Sequence, residues 1–144
     1  MADSDTIGAL LVAAKTFLTG EGLSASSISW ENRVFNPVGK TPWAAVFVVP
    51  NTPQPVTLGN QGTDRGDGFM QIDLNIPFNT GDSVLRTWED AARAFFIVGS
   101  TFTQGGQIVR VLSCGMSQGR KVDNWFRKSL TIAYRTDFQR NLIT

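Results

Sequence analysis

The sequence predicts an α+β domain, with two helices packed on one face of a mostly antiparallel sheet of roughly five strands. Three observations in its 144 residues carry that reading. Apolar stripes recur at helical spacing over 7–18 and 84–96. Residues 70–76 alternate between apolar and polar. A Gly105-Gly106 pair separates two short strand-like runs.

Ile7, Leu10, Leu11, Ala14, Phe17 and Leu18 lie on one face of a first helix, with Ser4 or Asp5 placed to cap its start and Gly20 and Gly22 to stop it. The apolar run 43–49, held between Pro42 and Pro50, is too short for a buried helix. It reads as a central strand with both faces covered. Residues 50–67 contain three prolines, three glycines and one leucine, a composition that cannot bury a core, so they read as a flexible functional loop. Met70, Ile72, Leu74 and Ile76 then line the buried face of a strand. Asp82 or Ser83 can cap a second helix whose stripe is Val84, Leu85, Trp88, Ala91, Ala92, Phe95 and Phe96, ending at Gly99. Residues 101–103 and 107–112 form a hairpin. A last strand over 125–135 buries Phe126, Leu130, Ile132 and Tyr134, with Lys128 interrupting that face. A C-terminal extension follows from about 137. No repeat or linker divides residues 1–144, which read as one domain.

Formal net charge is +1, far from the basic balance of a dedicated duplex binder. The last third is nevertheless locally basic: Arg110, Arg120, Lys121, Arg127, Lys128, Arg135 and Arg140 face only Asp123 and Asp137. Such a run is either a solvated face or an electrostatic docking surface for a partner or nucleic acid. Cys114 is the only cysteine, which excludes an intramolecular disulfide and fits a buried structural thiol. The acidic start lacks a signal-peptide n-region, and 7–18 is too short to cross a bilayer, so a soluble cytoplasmic product with no membrane partner is expected.

There is no histidine, which excludes histidine-based triads and metal clusters. Glu89-Asp90 and the pair Asp64 and Asp67 lack the separate environments that would push two carboxyl pKa values apart, and Glu89 can instead face Arg93. The glycines at 59, 62, 66 and 68 lead into a strand, whereas a phosphate loop opens a helix. Arg65-Gly66-Asp67 matches an adhesion tripeptide at a length met by chance. Carboxylate-only or lysine-based catalysis stays open, as does a divalent cation held by Asp64 and Asp67 with loop carbonyls, although no spaced acidic loop is present. No enzyme activity, metal or cofactor is expected. Trp43 and Trp88 belong to apolar patterns and read as core. Trp30 and Trp125 flank polar segments and read as half-exposed interface residues. Trp125, set among Arg120, Lys121, Arg127 and Lys128, serves equally as a subunit contact or a stacking platform for single-stranded nucleic acid.

Several short segments in fixed order carry more than any one of them: Trp30-Glu31-Asn32, Phe35-Asn36-Pro37, Thr41-Pro42-Trp43, Thr57-Leu58-Gly59, the strand over 68–77, and a C-terminal strand reaching Tyr134-Arg135. Over roughly residues 28–138 this order resembles that of a family of phage tail terminators. Where that pattern has a short proline-rich stretch, this chain has 114–121 instead. The resemblance implies a structural protein that forms a ring of about six copies. The ring would cap the tail tube, stop its polymerisation and meet the head-completion or neck protein. DNA would pass through without specific recognition. It would lie at the head-proximal end of the tail in the virion and in host cytoplasm during assembly. Trp30, Arg65, Asp67, Arg120, Lys121, Trp125, Arg127 and Lys128 are the candidate oligomer, tube or neck contacts. A head–tail connector, a tube subunit and a small nucleic-acid-binding module are the competing readings.

Overall fold

A computed structural model of the protein describes residues 2–31, 33–39, 42–59, 62–81 and 83–139. Its spine is a two-stranded ribbon in which β4 (Thr63–Pro77) runs antiparallel to β8 (Trp125–Gln139), in unbroken register from Thr63 opposite Gln139 to Pro77 opposite Trp125. On one side β4 pairs with β2 (Trp43–Pro50), which carries the short parallel strand β1 (Ile28–Trp30). On the other side β8 pairs with β6 (Gln107–Met116), and β6 with β5 (Thr101–Gln104). Two fragments complete the sheet: β3 (Gln54–Pro55) on the far end of β4, and β7 (Arg120–Val122) on the near end of β8.

The expected layer of roughly five strands under two helices is therefore wrong. Eight strands form one sheet curled into a half-barrel, and strand outweighs helix among the described residues, 46% to 26%. β1, β3 and β7 span two or three residues each, too few for a period-two pattern to show. The stretch 50–67, read as a single loop, is partly strand: 54–55 belong to β3 and 63–67 to β4, while β8 runs past residue 137 to Gln139.

The helix α1 (Ala2–Gly20) sits in the concavity, touching both β2 and β5 although these lie toward opposite ends of the strand order. It buries Leu10, Ala14, Phe17 and Leu18 as its spacing requires. Ser4 and Asp5 lie inside the helix rather than capping it. Its end is a Schellman turn: Gly22 adopts φ +99°, Gly22 N–H donates to Thr19 (3.2 Å) and Leu23 N–H to Leu18 (3.1 Å). The second helix, α2 (Ser83–Phe95), buries Leu85, Trp88 and Ala92 and ends at Phe95, before the expected Gly99. Asp82, the alternative cap, and Arg140, part of the basic third, lie outside the described residues.

Both helices share one core with the inward face of the ribbon, where Met70, Ile72, Leu74, Leu130 and Ile132 are fully buried. Each such side chain contributes roughly 1.5–3 kcal/mol by leaving water. Rings of Phe17, Phe95, Phe96 and Phe102 tie α1, α2 and β5 together, with Phe95 and Phe96 centroids 4.8 Å apart. Gly68 marks the boundary between the buried and the projecting halves of the ribbon. It has φ +156°, and a Cβ there would collide with the Val49 carbonyl oxygen, so the approach of β2 requires glycine.

Candidate assembly surfaces

The far end of the ribbon, with β3, forms an arm beyond the core. Its tip is held by hydrogen bonds from Thr63 N–H to the Thr57 hydroxyl (2.6 Å) and from Val56 N–H to the Thr63 carbonyl (2.8 Å). Leu58, next to these bonds, stands almost fully in solvent, 93% exposed. Arg65 and Asp67 are on the arm. Arg65 Nε lies 3.5 Å from Asp137 across the strand pair, and Asp67 accepts a hydrogen bond from Asn51 Nδ2 at 3.1 Å.

At the near end of the ribbon, a two-residue turn at Asp123-Asn124 joins β7 to β8, with Asp123 at φ +55°. It brings together the other basic and aromatic candidates. Arg127 Nε donates to Asn75 Oδ1 (2.7 Å), and its guanidinium lies over the Trp43 ring at 5.9 Å. Trp125 meets Trp43 edge-on at 5.8 Å. Arg120, directly opposite Arg127, donates to Ser129 Oγ at 3.3 Å, and Lys121 Nζ rests 4.6 Å over Phe78. Lys128 is half-buried on the inward side, opposite Leu74. Arg120, Lys121, Trp125 and Arg127 thus make contacts within their own chain, with Trp125 half-buried. Beneath them Asp73 is buried on the outward face, accepting from Ser129 Oγ (2.6 Å) and Gln71 Nε2 (2.8 Å).

Trp30 lies in a third place, on β1. The candidates from the sequence thus divide among arm, hairpin and sheet edge, and do not form one site.

The edge beside Trp30 holds what sequence reasoning missed. β1 covers β2 only as far as Val46. The rest of β2, expected to be covered on both faces, is not: Phe47 is 37% and Val49 43% exposed. Beyond the end of β1, Glu31 Oε1 accepts a hydrogen bond from Val48 N–H at 2.8 Å, standing in for the missing strand. Pro50, which has no N–H to pair, is the one signal of an edge that the sequence carried.

Among the described residues no cluster of three or more metal-binding side chains occurs, and no helix is long and apolar enough to cross a membrane. Cys114 is half-buried on β6. Burial pushes its thiol pKa above the ordinary value, with Arg93 opposing, so less thiolate is present at neutral pH. Glu89 and Arg93 form the expected pair at 2.8 Å.

A curled sheet with uncovered edges and a projecting arm has the anatomy of an assembly subunit. The family model for phage tail terminator protein matches residues 7–134, and the chain belongs to that family. It is a structural protein of a phage tail. Solved structures share its fold, and two of them show the range of likeness. One, a protein of no stated function, is 20% identical with a TM-score of 0.67, covering 91% of this chain and 95% of that one. The other belongs to the virion of a native gene transfer agent particle. It is 15% identical with a TM-score of 0.51, covering 92% of this chain and 98% of that one. No curated protein matches the sequence.

Proposed function

We propose that copies of this chain close into a ring of about six that caps the tail tube, stops its growth and gives the head its docking face. The observation that carries this is the family match across nearly the whole fold, residues 7–134. The anatomy supports it. A cap needs a rigid subunit, edges that meet its neighbours, and a face complementary to a repeating tube surface. The arm is the element we assign to the tube, because its hydrogen-bonded tip presents Leu58 in a fixed geometry without disturbing the core. DNA passes through the ring without specific recognition, and the ring sits at the head-proximal end of the tail.

The test is tube length. Purified chain added to polymerising tail-tube protein should hold tubes at a fixed length, while chain lacking residues 53–65 should remain folded and let tubes grow on. Intact chain that lengthens tubes by joining them would instead make it a tube subunit. Arm-deleted chain that still stops growth would remove the arm from the mechanism.

A further inference from the structure

The uncovered half of β2 is flanked by two hollows that share two residues, Glu31 and Val48. On the inner side, α1 and β2 enclose a groove of about 500 Å³ lined by Leu11, Val12, Trp30 and Val48; on the outer side, Phe47, Val49 and Phe69 line a second of about 520 Å³. Glu31 borders both. In an antiparallel ladder alternate residues face opposite neighbours. Since Val48 N–H bonds to Glu31, Val48 and Pro50 face the open side, and Phe47 and Val49 face β4. A strand laid along this edge would take over Val48 N–H from the carboxylate and drop its alternate side chains into the two hollows.

The opposite end of the sheet is also open. β5 is its last strand, and the Gly105-Gly106 turn sets Phe102 and Gln104 toward β6, leaving the main-chain groups of Thr101 and Thr103 outward. Exposed apolar residues gather there too: Ile97 and Val98 in the turn before β5, and Ile108 opposite Thr103. Charged groups border both ends: Lys15, Glu31 and Arg33 rim the β2 groove, while Asp5 lies against the turn at the end of β5 and Arg110 stands opposite Thr101.

From these two open edges, each flanked by exposed apolar residues, we infer that β5 of one copy adds to the β2 edge of the next, displacing Glu31 from Val48, so that subunits join head to tail. The inference rests on the proposed ring and specifies its joint. Unlike ends make a heterologous contact, which closes when its rotation divides a full turn. Glu31 holds the edge until a neighbour arrives, which keeps an exposed strand from indiscriminate pairing.

Dead-end variants test it by light scattering. A β2-end variant, Val12→Glu with Phe47→Lys, and a β5-end variant, Thr103→Pro, should each be monomeric under conditions where the wild type assembles. Mixed in equal amounts they should form a dimer and stop, because one live end of each kind remains. Ile108→Lys serves as a second β5-end variant should the proline disturb the hairpin. Glu31→Ala should assemble at a concentration lower by about tenfold, having lost a charge-assisted competitor. Rings from either variant, homodimers from one variant alone, or a mixture that stays monomeric overturn the head-to-tail joint while wild-type rings leave the cap standing. Variants that form normal rings but no longer stop tube growth would hand the edge to the tube protein. A wild-type chain that never assembles removes both readings.

Discussion

The two halves of the β4–β8 ribbon share one register and one ladder of main-chain hydrogen bonds, yet they do different work. In the near half, Met70, Ile72 and Leu74 face Ile132, Leu130 and Lys128 across the strands, and the apolar members are sealed beneath both helices. In the far half, Arg65 faces Asp137 and Asp67 faces Arg135, with β3 beside β4 at Asp64 and Arg65 and β6 beside β8 at Arg135 and Thr136. The hydrogen-bond ladder is common to both, so it cannot be the source of the difference. The near half draws its stability from buried area. The far half is held by the ladder and its short flanking pairs, and carries exposed side chains such as Arg65 and Asp137.

That contrast can be broken most forcefully in the near half. Leu74→Ala should lower stability by about 2–5 kcal/mol in denaturant unfolding, since it empties a fully buried position between sheet and helices. Gly68→Ala, at the junction, should cost about 1–3 kcal/mol through backbone strain and the clash with Val49. A loss as large as that of Leu74→Ala would mean that the junction is part of the core. Asp73→Ala belongs to the outward face of the near half. It strands the partners Ser129 and Gln71 and should cost about 1–3 kcal/mol. At the small end, Arg65→Ala should change stability by less than about 1 kcal/mol, because its pair with Asp137 is long and the two side chains are 42% and 56% exposed. A larger, salt-sensitive loss would show that the arm stabilises the fold as well as projecting from it.

The same contrast explains what could be read from the sequence. Both helices, the strand at 70–76 and the hairpin around Gly105-Gly106 were legible because each buries one face, and burial writes a period into the residues. The arm writes none. Thr63 to Asp67 carries no apolar side chain but is strand through pairing with β8 along its length and with β3 at Asp64 and Arg65, so composition alone marked it as loop. β1, β3 and β7 are shorter than any readable pattern. The second half of β2 failed for the opposite reason. Its Phe-Val-Val run has the pattern of a doubly covered strand, and sequence cannot say whether the cover comes from the same chain or from another. Glu31 was visible only as part of a family-like segment; its bond to Val48, seventeen residues away, exists only once β1 has ended beside β2. The basic cluster was legible as charge but not as structure, since Arg127 and Trp125 are already held by Asn75 and Trp43.

The central claim is that a chain with two unlike open ends closes into a ring. The most direct measurement is the mass of the purified chain by light scattering across a wide range of concentration, with imaging of the large species. The account predicts a single large mass, about six times the 15.7 kDa of one copy, that does not grow as concentration rises. A mass that keeps growing, or a chain that stays monomeric throughout, would contradict it.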